Sequence, residues 1–216
     1  IPLALTLKYI TEYKLVDNSG INFLIRPQSW YFYKNVHTSR SLIKPISQIG
    51  IIKTLSYKLD LFKKKTVSMI IHCFNMPDTF FSWFLVTELH VWMLMVRFMA
   101  EGEKGKLVIN KMIEAMWYDV LIRAELLGPM TAKTKKRQVA ELSYQFNAAI
   151  VGYDEGIMSD DKVLAGALWR RFFCLECNNP EHLEKLLIYV RKQINVLDKI
   201  PSEKVFDRSI AKWVDM

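Results

Sequence analysis

Residues 150–173 read I-V-G-Y-D-E-G-I-M-S-D-D-K-V-L-A-G-A-L-W-R-R-F-F and place four carboxylates, Asp154, Glu155, Asp160 and Asp161, within eight positions. Clusters of this kind bind calcium when oxygen ligands alternate along a loop and a distal glutamate closes it. Here Asp154-Glu155-Gly156 breaks the alternation, and the closing glutamate is missing. A helix junction fits better. Ser159 stands where a cap would accept from free amides, and Asp160 and Asp161 fall in a first turn. There each carboxylate gains about 0.3–1 kcal/mol from the helix dipole. Asp154 and Glu155 are then expected to close the preceding helix or to face a partner as an exposed pair.

The remaining chemistry-bearing residues lack partners at useful spacing. Cys174-Leu175-Glu176-Cys177 is a lone C-x-x-C, and a zinc ribbon needs a second pair. It ends a helix, whereas a redox C-x-x-C opens one after a strand, and Asn178 rules out covalent haem attachment. These read as packing cysteines. Gly102-Glu103-Lys104-Gly105-Lys106 lacks the spacing and hydroxyl of a phosphate loop. Histidines 37, 72, 90 and 182 form no metal-binding pair. His90 shares a helical face with Trp83, Leu94 and Arg97 and reads as a hydrogen-bonded core residue, with Glu88 pointing nearly the opposite way. No serine or cysteine has a base at defined spacing. No cofactor, metal or catalytic set is expected, and the chain reads as a non-enzyme.

The elements that carry these residues are helical from about residue 46 onward. Pro77-Asp78-Thr79 opens a helix that reaches Gly102. A second is expected over about 104–127, stopped by Gly128-Pro129, with an apolar stripe of Ile109, Ile113, Met116, Trp117, Val120, Ala124 and Leu127. Others are expected over 131–151 and 160–173. Asn179-Pro180-Glu181 starts the last, with a stripe of Leu183, Leu186, Leu187, Val190, Ile194 and Leu197 before Pro201. The fold class is all-α, a multi-helix, bundle-like domain with largely antiparallel neighbours. Residues 1–43 mix Trp30, Tyr31, Phe32 and Tyr33 with turn formers and read as an irregular N-terminal arm. The helical domain is placed at 44–200 and a C-terminal tail at 201–216.

The stretch 80–100 has the length of a membrane span. Glu88 and His90 would lie at mid-depth, though, and each central charge costs about 2.5–3.5 kcal/mol on insertion. A buried core helix is the expectation. The chain has 216 residues, 51% of them hydrophobic, and a net charge of +8. That supports a full core without disulfides, and the three cysteines fit a reducing compartment. The positive balance points to an anionic partner: RNA, acidic lipid or acidic protein. Lys63-Lys64-Lys65 and the run Lys133, Lys135, Lys136 and Arg137 are the candidate contacts for ribosome or lipid, or else a solvated positive face. The sequence begins at Ile1, which leaves a processed targeting segment open.

Three blocks of residues carry a resemblance. The first runs Met76-Pro-Asp-Thr-Phe80, Ser82-Trp-Phe-Leu85, His90-Val-Trp-Met93, Val96-Arg97 and Glu101-Gly102. The second is Gly152-Tyr-Asp-Glu-Gly156, Ser159-Asp-Asp161 and Ala167-Leu-Trp-Arg170. The third is His182-Leu-Glu184 with Tyr189-Val-Arg-Lys-Gln-Ile194. Over residues 66–199 the chain resembles the ubiquinol–cytochrome c chaperone family; Tyr118 departs from it, standing where an acidic residue is expected. The resemblance implies a mostly helical, non-enzymatic assembly factor for respiratory complex III on the matrix side of the mitochondrial inner membrane. Such proteins pair with a small second assembly factor near the mitochondrial ribosome exit and hold newly made cytochrome b. Candidate partner-binding residues are Trp83, His90, Trp92, Arg97, Tyr153, Asp154, Glu155, Trp169 and Arg170, on the premise that helix 79–101 has more apolar circumference than one core contact needs. The alternative function is a ribosome- or RNA-binding translational regulator working through the Lys133–Arg137 face. Peripheral contact with the inner membrane is a further expectation.

Overall fold

Helix ends follow local chemistry. In the computed structural model, which describes residues 66–206 and 213–214, Thr79 caps a helix by accepting from the Ser82 amide at 3.2 Å. Thr131 does the same for the Thr134 amide at 3.2 Å, and Asn179 for the Glu181 amide at 3.0 Å ahead of Pro180. Each such cap is worth about 1 kcal/mol. The described elements are α1 (Ser68–Cys73), α2 (Phe80–Met99), α3 (Gly102–Leu126), α4 (Ala132–Met158), α5 (Asp161–Arg171) and α6 (Pro180–Asp198). The described residues contain no strand, and the all-α expectation holds. The expected arm over 1–43, the onset of helix near 46 and Lys63–Lys65 lie outside the described residues.

The junction of α4 and α5 differs from the sequence reading in two ways. Helix α4 runs through Gly152 and Gly156 to Met158 instead of stopping near Val151. Those glycines are where α5 crosses it. A Cβ on Gly156 would sit 2.7 Å from the Leu164 Cα, and one on Gly152 would meet Ala167 Cβ at 3.7 Å. The pair acts as a packing surface, and only the absent side chain at 156 lets the two backbones approach. The cap of α5 is Asp160, which accepts from the Lys162 and Val163 amides at 3.0 Å each; Ser159 closes α4. Asp161 does lie in the first turn.

Helix α2 sits at the centre. Ser82 through Met93 are all buried, more than three turns without a solvent face. The expectation that surplus apolar circumference faces a partner is therefore corrected: that circumference is used inside the chain. The pairs Phe84–Trp117 and Trp83–Arg123 make α3 antiparallel to α2. His90–Tyr189 and Arg97–Ile200 advance together, so α6 lies parallel to it. The α3 stripe is buried at Ile109, Met116, Trp117, Val120 and Ala124, with Met112 added; Leu127 is 55% exposed and does not belong to it. On α6, Leu186, Val190 and Leu197 are buried together with Tyr189 and Gln193. Beyond Pro201 the chain returns to the body. Val205 is fully buried, Trp213 packs edge-on against His90 at 4.5 Å, and the Val214 amide donates to Gln193 at 2.9 Å.

Candidate functional site

A buried helix gains by matching the charged and polar groups it carries, because an unmatched buried group costs about 1–3 kcal/mol. Helix α2 carries Glu88, His90, Trp92 and Arg97, and each reaches a different element. Arg171 of α5 grips Glu88 with both forks, Nε to Oε1 at 2.7 Å and Nη2 to Oε2 at 2.6 Å, and gives Nη1 to Gln145 of α4 at 2.9 Å. Glu88 and His90 are both interior and, pointing nearly opposite ways, reach different helices. Burial outweighs the guanidinium and pushes the Glu88 carboxyl up to about 7. The Tyr153 hydroxyl lies beside it without completing a hydrogen bond, and its own pKa is raised by burial.

His90 stands between the Val86 carbonyl, 2.7 Å from Nδ1, and the Tyr189 hydroxyl, 2.7 Å from Nε2. The carbonyl can only accept, so Nδ1 carries the proton and Tyr189 donates to Nε2. Burial drives the imidazole pKa down to about 3 and keeps the ring neutral. This is the hydrogen-bonded core histidine the sequence suggested. Farther along, Arg97 joins Glu101 at 2.6 Å and the Ile200 carbonyl at 2.7 Å, while Ser202 donates to Glu101 at 2.9 Å. That ties the segment after α6 to the end of α2.

Trp92 is fully buried, packs tilted against Tyr153 with ring centroids 5.0 Å apart and donates from Nε1 to Asp154 Oδ1 at 2.8 Å. Asp154 is therefore internal, contrary to the exposed pair expected; only Glu155, the next residue, faces solvent. The reason is helical phase, since consecutive residues point about 100° apart. The Asp154 Oδ2 has no hydrogen-bond partner, and burial lifts its carboxyl pKa to about 6.

A pH dependence follows. Between its ordinary value of 3.8 and about 6, the folded chain keeps the Asp154 proton that the unfolded chain releases. Stability contributed by this group is present below pH 4 and is lost as pH rises to about 6, by about 3 kcal/mol. Glu88 adds a slope of the same sign, from 4.5 to about 7. Asp154→Asn keeps the acceptor for Trp92 and removes the charge. It is expected to melt higher than the parent at pH 7.5 and to show a shallower melting-temperature slope between pH 4 and 6.

Eight of the nine partner-binding candidates fall into two groups. His90, Trp92, Arg97, Tyr153 and Asp154 are brought together as interior ties. Glu155, Trp169 and Arg170 are exposed on the α4–α5 pair. Trp83 is buried but lines a cleft of about 630 Å3 between α1, the start of α2 and the end of α3, where Arg123 lies 4.2 Å above its ring. Lys133, Lys136 and Arg137 are exposed at the start of α4, and Lys135 pairs with Glu125 at 2.6 Å.

Sequence reasoning missed Arg171, Tyr189 and Arg191. Arg191 of α6 ties Asp161 at 3.0 Å and the Ile157 and Ser159 carbonyls at 3.0 and 3.1 Å, clamping the α4–α5 junction. A signal existed for Arg171: a lone acid inside an apolar helix demands a cation, and Arg171 directly precedes Phe172-Phe173. Among the described residues no three His, Cys, Asp or Glu side chains converge as metal ligands.

The family profile described as ubiquinol-cytochrome C chaperone matches residues 72–213, from α1 through every tie above. The chain belongs to the ubiquinol–cytochrome c chaperone family. Among members, ubiquinol–cytochrome c reductase complex assembly factor 1 of Drosophila melanogaster is 49% identical over 147 residues, covering 66% of this chain and 57% of that protein. The human protein of the same name is 48% identical over 139 residues, 64% of this chain and 46% of its own. Protein CBP3, mitochondrial, of Saccharomyces cerevisiae is 32% identical over 143 residues, 65% of this chain and 42% of its own. The chain spans about half the length of these family relatives. The crystal structure of the Cbp3 homolog from Brucella abortus shares the family fold, with a TM-score of 0.65 at 17% identity over 88% of this chain and 97% of that one.

Proposed function

We propose that this chain is a non-enzymatic assembly chaperone for respiratory complex III in mitochondria. The observation that carries the reading is the family match across residues 72–213, together with relatives named as complex assembly factors. In this reading it works on the matrix side of the inner membrane, pairs with a small second assembly factor and holds newly made cytochrome b near the mitochondrial ribosome exit. The disposition of polar groups supports a binding role. Glu88, His90 and Asp154 each have a structural partner in the interior, so their chemistry goes into holding helices together.

The surface offered to partners is the exposed side of α4 and α5 at Glu155, Trp169 and Arg170, with the Trp83 cleft as a second candidate. Trp169 is a half-exposed indole next to a cation, a combination common at the centres of protein interfaces. Replacing Trp169 with alanine and Arg170 with glutamate is expected to lower co-purification of cytochrome b or of the small factor at least fivefold, with melting unchanged. Undiminished recovery of both would remove this surface from the proposal.

A further inference from the structure

The turn joining α3 to α4 exposes apolar side chains that the ties inside the fold do not use. Leu126 is 80% exposed and Leu127 55%, next to each other at the end of α3. Tyr118 and Ile122 precede Leu126 at four-residue spacing and are also exposed, which extends an apolar stripe to the tip. Gly128, with φ of 106°, and Pro129 then reverse the chain. The first turns of α4 carry Lys133, Lys136 and Arg137, all exposed and sharing one helical face. The Lys135–Glu125 bridge at 2.6 Å draws that start of α4 against the last turn of α3 and neutralises the acid nearest the leucines. The positive end of the α4 dipole lies there as well.

We propose that this turn seats the chain on an anionic lipid surface. Leu126 and Leu127 enter the headgroup–acyl boundary while Lys133 and Arg137 meet lipid phosphates. An apolar tip ringed by one sign of charge complements a surface that is anionic outside and apolar beneath. RNA satisfies the cations but offers nothing to two exposed leucines, since bases are bound by aromatic stacking. The inference does not depend on the chaperone reading.

The test is flotation of the full chain with vesicles of phosphatidylcholine containing phosphatidylglycerol, against vesicles of phosphatidylcholine alone. The parent is expected to float with the anionic vesicles and not with the neutral ones. Leu126→Ser with Leu127→Ser should weaken binding about tenfold, from the loss of two buried apolar groups. Lys133→Glu with Arg137→Glu should weaken it at least as much and flatten its dependence on salt. Melting should match the parent in both variants, because the side chains are exposed; Leu126→Asn alone repeats the comparison at the most exposed position. Equal binding to neutral vesicles, no binding at all, or full binding by the leucine variants would overturn the proposal. The last result, joined to competition by single-stranded RNA, would assign the cations to nucleic acid.

Discussion

Arg171→Met is expected to cost about 3–5 kcal/mol of folding stability, because it strands a carboxylate inside the protein. Glu88 has no exposed surface, and both of its oxygens receive hydrogen bonds from this one guanidinium. Without Arg171, the two effects that lower the Glu88 pKa most are gone, and the group is held protonated to still higher pH. The loss should therefore be larger at pH 8 than at pH 6, where a neutral carboxyl is tolerated. Urea denaturation at the two pH values measures both the size and the direction. Gln145 Oε1 loses its donor as well, but the side chain lies near the surface, keeps its bond to Glu141, and water can replace the lost one.

Trp92→Ala is expected to be of similar severity for a different reason. The indole is fully buried in the main core against Tyr153, and aromatic-to-alanine changes in such places cost about 3–5 kcal/mol. The change also removes the one hydrogen bond to Asp154, leaving both of its oxygens unmatched, at about 1–3 kcal/mol more. Trp92→Phe should recover the packing share and not the hydrogen bond. Trp169→Ala gives the contrast: a half-exposed side chain whose loss should move stability by about 0.5 kcal/mol or less. Thermal and urea melts of the three variants separate the interior tryptophan from the surface one.

Much of the fold was legible because helix ends are written locally. Thr79, Gly128 and Asn179-Pro180 each announce a boundary through the geometry they accept, and the structure keeps them. The helix expected to stop near Val151 runs on through Gly152 and Gly156, because within one turn a glycine that admits a crossing helix cannot be told from a helix end. What distinguishes them is Leu164, which belongs to the next element. The central helix was the hardest part. A continuous apolar run has no phase, so its sequence cannot say whether a face meets a neighbour within the chain or another molecule. The same limit hid the partners of its polar groups. Trp92 and Asp154 are 62 positions apart and Glu88 and Arg171 are 83, beyond any local spacing rule. His90 was readable in kind, as a satisfied core residue, but its partner Tyr189 lies 99 positions away and was not legible as such.

These ties give the family signature a physical meaning. The G-Y-D-E-G, S-D-D and Y-V-R segments supply the crossing point of α4 and α5, the acceptor for Trp92, the cap of α5 and the arginine that clamps the junction. They define how the helices dock, and thereby the shape of the outer surface on which Glu155, Trp169 and Arg170 stand. Three of the four carboxylates that first suggested a metal site, Asp154, Asp160 and Asp161, are parts of that frame.

The central claim is that buried polar pairs along α2 fix the helix packing as pairs, and the most direct test is a double-mutant cycle on Glu88 and Arg171. Glu88→Leu, Arg171→Met and the combined variant would be compared with the parent by urea denaturation. Each single change is expected to destabilise strongly, while the double variant costs about 3 kcal/mol less than the two single losses summed. Losses that simply add would contradict the account.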